Sequence, residues 1–308
     1  MIQCGTNLTI HKYHLDKILF PKIAADRAKY MQYSKSLLTE RTSLGTSMDR
    51  KDFFYYLLNA KDPETGQGFA NAELWGESNL LIIAGSDTTS TSMAGTFFYL
   101  VHNPETLRIA TEEVRSKFQS VEEIVAGPAL NSCTYIRACI DEAMRLSPPV
   151  GGMLPRQALP GGLHVDGETI PEGIVVGTPH YTIHHNADYF PDPFAYKPSR
   201  WIPNSAPGIT EETVSLAQSA FCPFSVGPRG CIGKGLAYVE LMSTIARTLW
   251  MFDLRLSPGE RVGGGKVGAE WGRSRPGEFQ LKDTFTSMKD GPMVQFRVRG
   301  DGVDGDVA

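Results

Sequence analysis

Ten residues, Phe224 to Gly233, read FSVGPRGCIG and set one thiol, Cys231, among three glycines, a proline and an arginine. A helical pattern follows. A lone cysteine is most often a small buried hydrophobe, but these neighbours argue for chemistry. Where a loop becomes a helix, free N–H groups and the positive end of the dipole favour thiolate over thiol. Glycines at 227, 230 and 233 remove side chains where something flat and bulky would approach the backbone. Phe224 can shield the sulfur, and Arg229 supplies a fixed positive charge two residues before it. A thiolate given to a metal through an open face fits this setting better than a catalytic nucleophile, which would want a positioned histidine base.

Three other groups carry chemical types. Glu142 and Arg145 lie three apart in DEAMR. Such a pair is ordinarily a solvated contact worth a few tenths of a kcal/mol. Here Ile136, Cys139, Ile140 and Met144 make the adjoining face apolar, and Pro148-Pro149 stop the helix. A buried pair needs further hydrogen-bond partners, and Arg200 in FAYKPSRW is available. The second group is Ala84-Gly85-Ser86-Asp87-Thr88-Thr89 inside an apolar helical stretch. Glycine costs about 1 kcal/mol there, and a buried Asp costs more unless partnered. The block marks either a tight helix crossing or a functional interruption. The third is Pro155-Arg156, after the next helix. GGGKVG near Lys266 lacks the glycine and hydroxyl spacing of a phosphate loop. His184-His185 lack a third metal ligand in the sequence and read as loop. Lys234 and its positive neighbours fit an acidic redox partner and a solvated face equally well.

Phe224-x-x-Gly227-x-Arg229-x-Cys231-x-Gly233 resembles the haem-binding signature of the cytochrome P-450 family at all five fixed positions. The resemblance implies haem b with Cys231 as the axial iron ligand and Arg229 on one propionate. Arg156 would reach the other propionate. It implies a buried network of Glu142, Arg145 and Arg200, with Ser199 standing where the family often has an acid. It implies an oxygen-binding helix in which Thr88 hydrogen-bonds the oxygen and Asp87 helps feed protons. Ile83, Ala84, Thr88, Val150 to Leu154 and Thr284 to Thr286 would line the pocket. The activity implied is that of a haem-thiolate monooxygenase. It would take O2, with electrons from an NADPH-cytochrome P-450 reductase, and act on a small, largely apolar substrate. The loops PRQALPGGLHVDGETIPEG and FPDPFAYKPSRW resemble filamentous-fungal members that modify terpenoid, polyketide or alkaloid scaffolds. Two alternatives stay open: a truncated, non-catalytic fragment, and rearrangement or ring formation without net hydroxylation. Family members are longer, so the resemblance also implies a missing N-terminal part.

These residues need a scaffold. The chain has 308 residues, 41% apolar and 21% charged, with net charge −4. That is globular, with no sign of nucleic-acid binding and nothing that demands an oligomer. Five scattered cysteines show no C-x-x-C pair, which argues against a disulfide framework. The sequence as written has no signal peptide and no membrane-spanning apolar run; longer family members are usually anchored to the endoplasmic reticulum.

Apolar spacing predicts helices from His11 to Ser43, Asn71 to Val101, Pro104 to about Gln119 (capped by Asn103), Thr134 to Leu146, and Cys231 to about Trp250. The last would bury Leu236, Val239, Met242, Ala246 and Leu249. LHVDG and ETIPEGIVVG predict a small antiparallel sheet, FDLRL and MVQFRVR two late strands, and 186–204 a loop. The expected fold is mainly α with a small antiparallel β part, the C-terminal two-thirds of the cytochrome P-450 fold. It would form one incomplete domain over 1–299, with a frayed tail at 300–308.

Overall fold

A computed structural model describes residues 16–45 and 51–300. The start of the first expected helix and all of the expected tail but Gly300 lie outside the described residues. Ten α-helices occur among them. In chain order they are α1 (Asp16–Leu19), α2 (Pro21–Ser43), α3 (Phe53–Asn59), α4 (Asn71–His102), α5 (Pro104–Lys117), α6 (Pro128–Asn131), α7 (Thr134–Leu146), α8 (His180–His184), α9 (Glu211–Ala220) and α10 (Lys234–Met251). Eight short strands pair two by two, all antiparallel: β1 (Arg156–Gln157) with β4 (Val175–Val176), β2 (Leu163–Val165) with β3 (Glu168–Ile170), β5 (Phe252–Leu256) with β8 (Val294–Val298), and β6 (Leu281–Lys282) with β7 (Met288–Lys289).

The chain divides into two compact units, and the boundary between Ser86 and Asp87 falls inside α4. In the first unit, Pro21 starts α2 at a position where its missing N–H is no loss. The Asp52 side chain caps α3 by accepting from Tyr55 N at 2.8 Å. The same carboxylate takes a bidentate pair of bonds from Arg41, at 2.9 and 2.8 Å. Trp75 Nε1 donates to Ser34 Oγ at 3.3 Å and Tyr30 to Asn79 Oδ1 at 3.0 Å, joining α2 to the first part of α4.

The second unit is built on a core where α4's last turns, α5, α7 and α10 meet. Leu100, Val114, Ile136, Ile140, Leu241 and Ile245 fill it. A neighbouring cluster of Phe98, Tyr99, Leu146 and Phe279 is tied by polar groups. Tyr99 and Ser147 hydroxyls lie 2.7 Å apart, Ser147 donates to Phe279 O at 2.9 Å, and Phe279 N donates to Tyr99 at 3.1 Å. The β2–β3 hairpin turns on Asp166 and Gly167, both with positive φ (51° and 83°), the pairing a two-residue turn of this kind selects. β5 and β8 run in register from Phe252–Val298 to Leu256–Val294.

Three expectations are corrected, and one helix is added. Asn103 stands at the start of α5 but does not cap it; its Nδ2 donates backwards to Tyr99 O at 2.7 Å, closing α4. α5 stops at Lys117, because Phe118 turns extended and drops into the core. α10 begins at Lys234, three residues after Cys231, and its buried face is Tyr238, Leu241, Met242, Ile245, Ala246 and Leu249. Leu236 and Val239 of the expected face are exposed. Finally, α9 had no sequence expectation; a capping box between Thr210 and Thr213 starts it, and Val214 and Ala217 bury its inner side.

Candidate functional site

The Cys231 loop is held by its own backbone. Cys231 N donates to Phe224 O at 2.8 Å, Gly230 N to Gly227 O at 2.9 Å, and Ser225 N to Cys222 O at 2.9 Å. The three glycines have three different reasons. Gly227 lies at φ +70°, where a side chain would strain the backbone. A Cβ on Gly230 would come within 3.1 Å of Gly227 O, so this residue serves the turn's own packing. A Cβ on Gly233 would stand 3.7 Å from Cys231 Sγ, beside the sulfur itself. Phe224 turns into the core against Tyr238, ring centroids 5.1 Å apart.

Cys231 is exposed, and so are the apolar side chains beside it: Val226 at 74% and Ile232 at 98%. Arg229 closes a short 3₁₀ turn and makes no ion pair among the described residues. One soft donor, an apolar rim and a free cation fit a flat, apolar macrocycle that brings its own equatorial ligands and acidic groups. The residues present therefore fit haem. Arg156 is exposed on β1, where among the described residues its guanidinium donates to the carbonyl of Pro155 at 2.9 Å.

The expected buried network is present and larger than expected. Glu142 and Arg145 are fully buried and Arg200 nearly so. Arg145 Nε and Nη2 each lie 2.9 Å from a different Glu142 oxygen. Arg200 Nε donates to Oε1 at 2.9 Å, and so does Lys197 N at 3.0 Å. Trp201 Nε1 donates to Oε2 at 3.0 Å. Burial alone would raise the Glu142 carboxyl; the guanidiniums of Arg145 and Arg200 outweigh it and hold the acid below its usual range. Arg145 also donates to the carbonyls of His184, Pro193 and Ala195. Lys197 N and Trp201 are members the sequence pattern did not reveal.

Several hydroxyls of α4, from Ser86 onward, return to the helix itself. Ser86 donates to Ile82 O at 2.7 Å, Thr91 to Asp87 O at 2.7 Å, Ser92 to Thr88 O at 3.1 Å and Thr96 to Ser92 O at 2.8 Å. These are returns to the helix's own carbonyls. The expectation that Asp87 is a costly buried acid is corrected: it is exposed, and Thr286 donates to its Oδ2 at 3.2 Å. Thr91 also reaches Ser287 O at 3.4 Å, and Ser287 N donates to Pro149 O at 2.9 Å. Asp87 is thus tied to Thr286 of the expected 284–286 stretch, and the next residue, Ser287, to Pro149, which precedes the expected 150–154 stretch. Ile83 and Ala84 belong to the first unit.

A cleft of about 480 Å³ opens on the Phe224 side of the loop, between α7, α9 and α10. Arg137, Asp141, Trp201, Phe221 and Tyr238 line it, and neither Cys231 nor Thr88 does. No helix among the described residues is long and apolar enough to cross a membrane.

Comparison with known proteins identifies the family. The family model described as Cytochrome P450 matches residues 8–263. The cytochrome P450 monooxygenase AKT7 of Alternaria alternata is 46% identical over 286 residues, covering 92% of this chain and 55% of that protein. A cytochrome P450 monooxygenase of Gibberella zeae is 46% identical over 291 residues, covering 94% and 65%. A crystal structure of a cytochrome P450 superposes with a TM-score of 0.69 at 23% identity, covering 90% of this chain and 57% of that one. The chain thus spans little more than half to two thirds of the length of these relatives. With the cysteine loop, the buried glutamate network and a family match over most of its length, the chain belongs to the cytochrome P450 family.

Proposed function

We propose that this chain is the haem-bearing part of a haem-thiolate monooxygenase that oxidises a small, largely apolar molecule in fungal secondary metabolism. The observation that carries the reading is the exposed Cys231, framed by Val226, Ile232 and Arg229 on a loop fixed by its own hydrogen bonds. Relatives from Alternaria and Gibberella that are named monooxygenases support the reaction class.

Cys231 would hold haem through its sulfur, with Arg229 and Arg156 on the propionates. Haem bound there supplies one-electron and O2 chemistry, favoured by the thiolate's electron donation. The electrons would come from an NADPH-dependent reductase. This chain's own residues do the rest. Asp87 is in contact with water and can take up a proton from it. Thr88, the next residue and half-buried, can hand a proton inward. Thr286 holds the Asp87 carboxylate in one orientation. The stretches 150–154 and 284–286 would bind and orient the substrate and exclude water from it.

The test is a carbon-monoxide difference spectrum of the reduced, purified protein. A strongly red-shifted Soret band is expected; absence of any Soret band overturns the reading. A second expectation concerns Thr88→Val. Proton delivery by a positioned group is worth about 10²-fold or more, so product formed per NADPH should fall by about that factor while the band stays. Unchanged coupling would remove Thr88 from the proton path.

A further inference from the structure

His184 has no part in the roles above. It ends α8 and is fully buried. Its Nε2 accepts the backbone N–H of Cys222 at 3.0 Å. That nitrogen therefore carries no hydrogen, and the neutral ring's proton sits on Nδ1, which has no partner among the described residues. An orphaned buried donor is costly, so a hydrophobic residue would suit this place better if packing were the only demand. Burial, then His180 and Arg145, pushes the His184 imidazolium down to about 3, so the ring stays an acceptor toward Cys222 throughout the ordinary pH range.

The bond joins two parts of the site. On one side, Arg145 donates to His184 O at 2.8 Å, bringing in the Glu142 network. On the other, Cys222 opens the segment that ends at Cys231: Cys222 O takes Ser225 N, and Phe224 O takes Cys231 N. The His184 ring also packs on Phe221, centroids 5.4 Å apart. We propose that His184 is a positioning residue for the Cys231 thiolate, clamping the Cys222 end of its loop to the Glu142–Arg145 network. The inference rests on the haem-thiolate reading above. The network acts on the ligand loop through one imidazole nitrogen.

The experiment compares haem-loaded wild type, His184→Phe and His184→Gln, all full chain. Phenylalanine keeps a ring against Phe221 and removes the acceptor; glutamine returns an amide oxygen near the place of Nε2. In His184→Phe, hydrogen exchange of the 221–231 peptide should rise about tenfold. The thiolate-type fraction of the reduced carbon-monoxide spectrum should fall severalfold. His184→Gln should restore both. Should the Phe variant not fold, His184→Asn, too short to reach Cys222, carries the same expectation. Wild-type exchange and spectrum in the variant lacking the acceptor overturn the proposal. So does loss that glutamine fails to rescue, because that assigns His184 to packing alone. A wild type without the red-shifted band overturns the haem-thiolate reading instead, while the exchange comparison still decides whether the clamp exists.

Discussion

Glu142→Gln is expected to lower the stability of the second unit by about 3–5 kcal/mol, the range for breaking a buried ion pair by removing one partner. The carboxylate accepts five hydrogen bonds, two from Arg145 and one each from Arg200, Lys197 N and Trp201. Glutamine keeps the shape but removes the charge and turns one acceptor into a donor facing donors. Arg145, with no exposure, is then a buried cation with no carboxylate beside it, only the glutamine oxygen and backbone carbonyls. The urea midpoint should fall accordingly, and a loss under about 1 kcal/mol would show that the network is not stabilising. The double variant Glu142→Leu with Arg145→Met should be less damaged than either single change, because no unpaired charge remains between them. The pH dependence follows from the direction of the shift. The folded carboxyl titrates below its unfolded value of about 4.3, so its contribution is full above that pH and is lost as pH falls below it. In Glu142→Gln, that part of the acid destabilisation should be missing.

How much of this was legible in the sequence depends on what kind of physics decided each feature. Features set by neighbours along the chain were legible. α7 runs from Thr134 to Leu146 as spacing and the following prolines require, and the pairing of β2 with β3 follows from its Asp-Gly turn. Glu142, Arg145 and Arg200 could be placed together only because the cysteine loop had already suggested a family whose network they match. Features set by tertiary contact were not legible. An 18-residue helix such as α10 has apolar side chains on several faces, and only its packing against α5 and α7 decides that Tyr238 and Leu241 turn inward while Val239 does not. Asn103 has the type of a cap, yet the nearby Tyr99 carbonyl takes its amide instead. α9 carried a readable signal, Thr210-Glu-Glu-Thr213, weakened by the polar run around it. His184 was the hardest case, because a histidine beside another histidine in a Pro- and Asp-rich stretch looks like loop. Its function lies in a bond to a residue 38 positions away.

Cys231→Ser is expected to do the reverse of Glu142→Gln, erasing the spectroscopic signature and leaving the fold in place. The Cys231 side chain is exposed, so exchanging sulfur for oxygen removes little buried contact. Its backbone amide keeps the bond to Phe224 O whatever the side chain. Surface substitutions of this kind lie within about 0.5 kcal/mol, so the melting temperature of the chain without haem should hardly move, and only the haem-loaded protein should lose the stability that ligation adds. The chemistry should change completely. A serine hydroxyl is not ionised at neutral pH and is a hard oxygen donor, whereas the thiolate is soft, polarisable and favours O–O cleavage. The red-shifted band should vanish and turnover with it. A variant that kept the band would mean that the iron is held from elsewhere, and Arg229, Val226 and Ile232 would then frame nothing but solvent. The two substitutions together separate the layers of the molecule: one removes the frame and so the site, the other removes the ligand and leaves the frame standing. A protein in which both changes merely unfolded the chain would have a structural cysteine, and its exposed position argues against that from the outset.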